Sequence, residues 1–450
     1  MNRKDFVRLS GLAAASLLIP AASAFAGDND VKVKAGIIGV GLRGQEHLRL
    51  LLQRNDVELV AICDIDDRML EMAKAIITKS GKKMPVVYNG DPMAWKKMVT
   101  KEKLDTITIA TPWEWHKDMV IFSADSGIKY IGTEVILGIT LEDHWEVVKA
   151  AERNNANVMM MENVCYRRDV MAVLNMVRQG LFGEIVHLQG GYQHDLREVK
   201  FNDGVNAIGH GVEFGDKAFS EARWRTNHSV HRNGDLYPTH GIGPLAHIIN
   251  INRGNRFLTL SSFSSKARGL HNYIVNNGGE DHPNAKVNFK LGDVVTTSIN
   301  CANGETILLQ HDTDLPRPYS LGFRVQGVSG LWMDLNQSVY IEGKSAKPHT
   351  WDSQEKWFET YDHPLWKKFS ADAQGAGHGG MDFFVVNAFI ESAKRKVPTP
   401  MDVYDAAVWS AITPLSEHSI ELGNQTVEFP DFTSGQWMYR KPVFSLDDKY

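Results

Sequence analysis

The chain has 450 residues, a length that allows two or three domains at roughly 150 residues each and excludes a single small module. With 43% hydrophobic and 23% charged residues it has the make-up of an ordinary globular protein, neither disordered nor collagen-like. Its 49 basic and 54 acidic residues give a formal charge of −5 without a Lys/Arg run, so a nucleic-acid partner has no electrostatic footprint.

Residues 1–26 read as an export signal: Arg3, Lys4 and Arg8, an apolar alanine-rich stretch from Leu12 to Ala22, then Ala24-Phe25-Ala26 as a small-x-small cleavage site. Pro20 interrupts the apolar run, which is too short for a spanning helix of ~20 residues, so a stable membrane anchor is not expected. Asn2 to Val7 resembles a twin-arginine export motif, with Lys4 where the second arginine is expected. The expected location is periplasmic or extracellular.

Residues 27–161 read as a dinucleotide-binding Rossmann domain. A β-rich run from Val31 enters Gly39-Val40-Gly41-Leu42-Arg43-Gly44, and a helix follows from Gln45. Gly39, Gly41 and Gly44 permit the tight turn, the close approach of pyrophosphate and the close packing of the helix. The next apolar run, Val57 to Cys63, ends at Asp64, about 20 residues beyond Gly44, where a carboxylate accepts ribose hydroxyls and repels a 2′-phosphate. NAD is therefore favoured over NADP. Helix 67–78, strand 86–88, helix 92–99 and strand 106–110 continue the alternation of a doubly wound parallel sheet. That sheet's carboxyl edge receives Thr111-Pro112-Trp113-Glu114-Trp115-His116, then Thr133-Glu134-Val135, then Glu162-Asn163. Trp113 and Trp115 fit either interface packing or a cofactor contact.

Residues 162–450 read as an α+β substrate domain with an open, mainly antiparallel sheet. One helix, 170–179, precedes candidate strands 184–194, 258–264, 294–301, 306–312, 321–328 and 338–341, with Asn303-Gly304 as a hairpin turn. Helices over 381–394 and 402–422 are expected to pack back across the domain. Residues 195–255 form a polar, aromatic, loop-rich stretch of the kind that carries sites. Within it, His240 reads equally well as a general acid or base and as a structural histidine at a helix start. His228 and His231 read as a surface pair, and Cys63, Cys165 and Cys301 as buried packing residues; no metal-ligand spacing is present.

A Rossmann half followed by an open-sheet half resembles the Gfo/Idh/MocA oxidoreductases. Gly41-Leu42-Arg43-Gly44, the Trp113–His116 stretch, Met161-Glu162-Asn163-Val164, Gly191 to Arg197, Trp224 to His228 and Leu236 to Gly241 further resemble glycoside hydrolase family 109, NAD-dependent α-N-acetylgalactosaminidases. The resemblance implies that Leu42, Arg43, Asp64, Trp113, Glu114, Trp115, His116, Glu134, Val135 and Asn163 contact NAD. It also implies that Tyr192, Arg225, Tyr237, Pro238, Thr239, His240 and Tyr319 line the sugar site, with His240 and Tyr192 exchanging protons.

The implied reaction is redox-neutral hydrolysis of a glycan bearing terminal α-N-acetylgalactosamine. C3 is oxidised transiently by a tightly held, recycled NAD, C1/C2 elimination and water addition follow, and C3 is re-reduced with retention. The alternative is an exported sugar dehydrogenase of the same fold. Such enzymes usually carry Glu-Lys-Pro where this chain has Glu134-Val135-Ile136, and valine cannot exchange a proton. An exposed sheet face in this fold class makes a homo-oligomer an expectation by analogy.

Overall fold

The computed structural model describes residues 32–450; the expected export signal, 1–26, lies outside them. The first half is a six-stranded sheet of β1 (Val33–Ile38), β2 (Val57–Cys63), β3 (Val86–Tyr88), β4 (Thr106–Ile109), β5 (Tyr130–Thr133) and β6 (Asn157–Met160). All neighbours are parallel, in the order β3-β2-β1-β4-β5-β6. β4 and β5 are buried throughout, as expected of strands covered by helices on both faces. The strand order reverses between β1 and β4, so the ligand crevice of this half lies at their carboxyl ends.

The second half contains a nine-stranded sheet: β7 (Ile185–Gln193), β8 (Phe257–Ser264), β9 (Val294–Cys301), β10 (Thr306–Asp312), β11 (Arg324–Gly327), β12 (Gly330–Met333), β13 (Ser338–Ile341), β14 (Asp352–Ser353) and β15 (Val427–Glu428). The order is β14-β13-β12-β11-β7-β10-β9-β8-β15, antiparallel except for β7 against β10. Alternation is plain in β9, whose even-numbered exposed side ends in Ser298 and Asn300 while Val295, Thr297, Ile299 and Cys301 are buried. The Thr239–Ile248 helix packs on β7 and the Ile412–Glu421 helix on β8. The Met381–Arg395 helix, almost wholly buried, returns to the first half and packs on β1, β5 and the Leu42–Gln53 helix. Both halves thus share one core.

Three local expectations change. The helix expected over 402–422 is two, Val403–Ser410 and Ile412–Glu421; Pro414 has no N–H for the carbonyl of Ser410, which interrupts the ladder. The strand expected from Leu321 begins at Arg324, because Gly322 turns the chain at φ +60°. Helices Gln354–Tyr361 and Pro364–Ala373 occupy a stretch without an assigned element, each capped by a side chain, Ser353 or His363. Cys63, Cys165 and Cys301 are free and buried. Among the described residues no helix is long and apolar enough to cross a membrane, and no metal-binding cluster occurs.

Candidate active site

The glycine loop leaves β1 with Gly39 at φ +85°, where a Cβ would stand 2.5 Å from the Ala110 carbonyl oxygen. A Cβ on Gly44 would meet the Gly39 oxygen at 1.9 Å, so this glycine allows the Leu42–Gln53 helix to approach the loop. Around Gly41 there is nothing within 4 Å. Two glycines are required by the protein's own packing and the third faces open space, which fits a cradle for pyrophosphate at a helix N-terminus. Asp64, at the end of β2, accepts the Val40 N–H at 2.7 Å and the Asp66 N–H at 2.9 Å. Burial nevertheless pushes its carboxyl above the ordinary range.

Arg43 turns inward from this loop. Its Nε donates to Glu134 at 2.7 Å and its Nη1 to Asp382 at 2.9 Å. Burial would raise the Glu134 carboxyl, but Arg43 and His47, whose Nε2 is 2.6 Å away, outweigh it and hold it at about 2. Asp382 also accepts from Asn163 Nδ2 and His378 Nδ1, both at 2.7 Å. Burial works against its charged form too, yet Arg43 and His378 keep it well below the carboxylate range. Val135 is buried, and its peptide bond to Ile136 is cis. His116 is fully buried with its ring nitrogens on the carbonyls of Thr111 (2.8 Å) and Ile136 (2.5 Å). Burial lowers its pKa, so the neutral imidazole donates to one of the two carbonyls and lies between two sheet-edge loops.

The two tryptophans differ. Trp115 packs on the main core, whereas Trp113 is buried against Trp224 (5.1 Å between centroids), His228 (4.8 Å) and Tyr237 (6.0 Å). Trp113 therefore joins the nucleotide half to the loops expected to bind sugar. His228 is not on the surface as expected: it is buried by Trp113 and faces Glu114 at 3.0 Å. His231 is exposed.

Beyond Trp113 lies a cluster of rings. Tyr192, at the end of β7, stands 4.6 Å from Tyr237, 5.1 Å from His240 and 6.5 Å from Tyr319. The Arg225 guanidinium lies 5.1 Å from the Tyr237 ring and 5.3 Å from Trp113, and its buried Nε has no partner among the described residues. Thr239 Oγ1 is likewise buried and unpartnered, while Pro238 caps the helix that starts at Thr239. Tyr319 is 41% exposed, at the rim.

His240 sits in the first turn of that helix, and its Nδ1–H donates to Glu162 Oε2 at 2.8 Å. Glu162 is fully buried and accepts the Val164 N–H through its other oxygen at 3.0 Å. The bond fixes the imidazole so that Nε2 is the nitrogen left to accept a proton. Tyr192 donates to His194 Nδ1 at 3.0 Å. Burial lowers His194 to about 4 and raises the Tyr192 phenol, so the imidazole is neutral and the tyrosine keeps its proton at neutral pH.

Four residues of this arrangement escape the sequence reading as site groups: Glu162, His194, His378 and Asp382. His378 projects from a glycine-rich turn in which Gly375, Gly379 and Gly380 have φ of 82°, 69° and 99°. Its hydrogen bond to Asp382 raises its pKa, it is 57% exposed, and its charge is felt at His194. A histidine set among glycines was a signal that could have found it.

Two family models match the chain. Residues 33–162 fit the model of the oxidoreductase family with an NAD-binding Rossmann fold, and residues 166–439 fit that of the glycosyl hydrolase 109 C-terminal domain. A glycosyl hydrolase family 109 protein of Stenotrophomonas maltophilia is 56% identical over 455 residues, covering 100% of this chain and 99% of its own. The chain belongs to glycosyl hydrolase family 109.

Another family 109 relative, an alpha-N-acetylgalactosaminidase of Tannerella forsythia, is 52% identical over 424 residues, 94% of this chain and 90% of its own. In three dimensions this family 109 protein resembles a levoglucosan dehydrogenase in complex with NADH and levoglucosan (TM-score 0.64, 17% identity, 89% of this chain and 99% of that one). It also resembles a myo-inositol dehydrogenase of Lactobacillus casei in complex with NAD(H) and myo-inositol (TM-score 0.57, 15% identity, 89% and 99%). At such identities the likeness is one of fold. A family 109 glycoside hydrolase thus carries an NAD-binding domain whose glycine loop and Asp64 suit that dinucleotide.

Proposed function

We propose that the protein is a retaining α-N-acetylgalactosaminidase that keeps one NAD through successive turnovers. Gly39, Gly41, Gly44 and Asp64 hold the dinucleotide, with Trp113 at the junction to the sugar site. Bound NAD supplies a reversible hydride acceptor for C3 of the terminal sugar, and oxidation there acidifies the C2 proton.

The observation that carries this reading is the His240–Glu162 pair at 2.8 Å beside Tyr192 and Tyr237. An imidazole held in this way within the ring cluster supports a proton acceptor there, and Val135 stands where the dehydrogenases that this chain resembles are expected to keep a lysine. His240 Nε2 takes the C2 proton and returns one to C2 when water adds at C1. Tyr192, whose one proton is given to His194 Nδ1, accepts from the C3 hydroxyl, which loses its proton along that bond as its hydride leaves and regains it on re-reduction, and Arg225 Nε clamps another substrate oxygen. His378, raised by Asp382, protonates the departing glycosidic oxygen and then accepts a proton from the incoming water. When water enters from the face the aglycone left, the anomeric configuration is retained. This scheme needs no pair of carboxylates flanking an oxocarbenium-like transition state.

The test is to incubate purified protein with chromogenic α- and β-N-acetylgalactosaminides in deuterated water without added NAD. Release from the α-linked substrate with deuterium at C2 supports the reading. Accumulation of NADH without cleavage overturns it in favour of a dehydrogenase. The reading extends to a site of action outside the cytoplasm, for which the signal-like residues 1–26 are the support.

A further inference from the structure

The two halves touch beside Asp64. The residue after Asp64, Ile65, is 66% exposed, an apolar side chain at the edge of the position where the adenosine ribose is read. In the first turn of the Asp67–Ser80 helix, Arg68 reaches across to the second half. Its guanidinium carbon lies 3.6 Å from the centre of the Phe219 ring, and its Nη1 donates to the Gly204 carbonyl at 3.3 Å. Phe219 is only 6% exposed beneath it.

The receiving loop is built for this contact. Asn202, fully buried, donates to the Phe219 carbonyl at 2.7 Å, while its Oδ1 accepts the N–H groups of Phe219 (3.1 Å) and Gly204 (3.0 Å). One amide therefore fixes both groups that meet Arg68. Gly204 stands at φ +78°, and a Cβ there would approach the Lys217 carbonyl oxygen to 2.4 Å. Further along the same segment come Trp224 and Arg225, which meet Trp113 in the ring cluster. The segment from Asn202 to Arg225 thus runs from the adenosine edge of the nucleotide half to the sugar site.

We propose that Arg68 and the Asn202–Phe219 loop form a clamp over the adenosine end of the dinucleotide site and slow release of the cofactor. The proposal rests on the retained-NAD reading above. The guanidinium stacked on Phe219 makes a flat lip beside Ile65, with one member on each half, so the adenosine leaves only when that contact opens. Stacking of this kind is worth enough, when partly desolvated, to change a dissociation rate by about 3- to 30-fold.

The experiment loads the full chain with radiolabelled NAD, chases with excess unlabelled NAD and follows loss of label from Arg68→Ala, Phe219→Ala and the double variant. Each single variant is expected to exchange about tenfold faster than the parent, and the double variant no faster than the quicker single one, because both changes remove one contact. With saturating NAD, kcat on an α-N-acetylgalactosaminide stays at the parent value in Arg68→Ala. Label held by all variants as long as by the parent, even with a lower melting temperature, makes the contact a strut between halves and overturns the clamp. Arg68→Ala alone decides the matter if Phe219→Ala does not fold, since the Arg68 side chain is 52% exposed. A parent protein that holds neither label nor resident NAD overturns the retained-NAD reading instead.

Discussion

Replacing Glu162 by glutamine tests the proton acceptor most directly. The carboxylate is fully buried and makes two bonds, to His240 Nδ1–H at 2.8 Å and to the Val164 N–H at 3.0 Å. Glutamine fills the same volume and keeps its oxygen for Val164, which turns its NH2 towards His240. Two donors then face each other unless the imidazole changes tautomer, and that change puts the proton on Nε2, the nitrogen needed as acceptor. The lost bond is charge-assisted, of a class worth about 1.5–3 kcal/mol. At about 1.4 kcal/mol per tenfold, kcat should fall roughly 10- to 150-fold. The assay is kcat on a chromogenic α-N-acetylgalactosaminide with C2 deuterium incorporation read in parallel, and both should fall together while NAD content stays constant. A Glu162→Gln protein within threefold of the parent kcat would refute the assignment of His240, as would one that fails only by losing NAD.

The other predictions concern charge and space. His378 is raised by its hydrogen bond to Asp382, so the protonated acid is present below its pKa and lost as pH rises through it; Asp382→Asn should move the alkaline limb of the kcat–pH profile to lower pH, measured at saturating NAD. His378→Asn should slow alkyl glycosides at least tenfold more than nitrophenyl glycosides, whose leaving groups need no acid. Gly41→Ala should melt like the parent yet lose NAD, whereas Gly44→Ala should lose several degrees in Tm, because only the second Cβ meets backbone, at 1.9 Å. Asp235 is buried and pushed up to about 7, so its neutral form suits the fold and stability declines as pH rises from the unfolded value near 3.8 through 7. Asp235→Asn keeps an oxygen for the Tyr237 N–H and should stabilise the protein at pH 8 by on the order of 2–4 kcal/mol, read by thermal or urea unfolding.

What could be read in the chain was what is local. Strand, glycine loop, helix and Asp64 lie within 32 consecutive residues of one βαβ unit, and β9 and β10 show their alternation around the short turn that holds Asn303-Gly304. Hydrophobic period and turn chemistry suffice there. Glu162 and His240 are 78 positions apart, and Arg43 and Asp382 are 339 apart. Only the closed fold brings them into contact, and neither spacing carries a local signal. His228 looked superficial because its own seven-residue helix is polar; Trp113, from the other half, buries it. β12 escaped because Gly330 opens a strand of only four residues, which pairs on both sides with equally short strands. His116 stands at the sheet edge, and the carbonyls of Ile136 and Thr111 beside its ring come from loops that the sequence does not show to be neighbours.

Arg43 joins the glycine loop to the helix that returns from the second half. An arginine next to the glycine loop might be thought to neutralise pyrophosphate, but its charge is already met by Glu134 and Asp382. The loop's N–H groups and the helix end are then left to hold the phosphates. Asp382 comes from the helix that returns from the second half, and it binds Arg43, Asn163 and His378 at once. Docking that helix therefore orders the nucleotide loop and orients His378 in a single contact set. At position 135 the buried side chain is valine, which exchanges no proton. The proposed function gives proton transfer to His240 and His378, each held by its own buried carboxylate and carried on a different segment of the second half. Under the proposed function, two imidazoles on separate carboxylates serve the two protons of an elimination, one leaving C2 and the other reaching the departing oxygen.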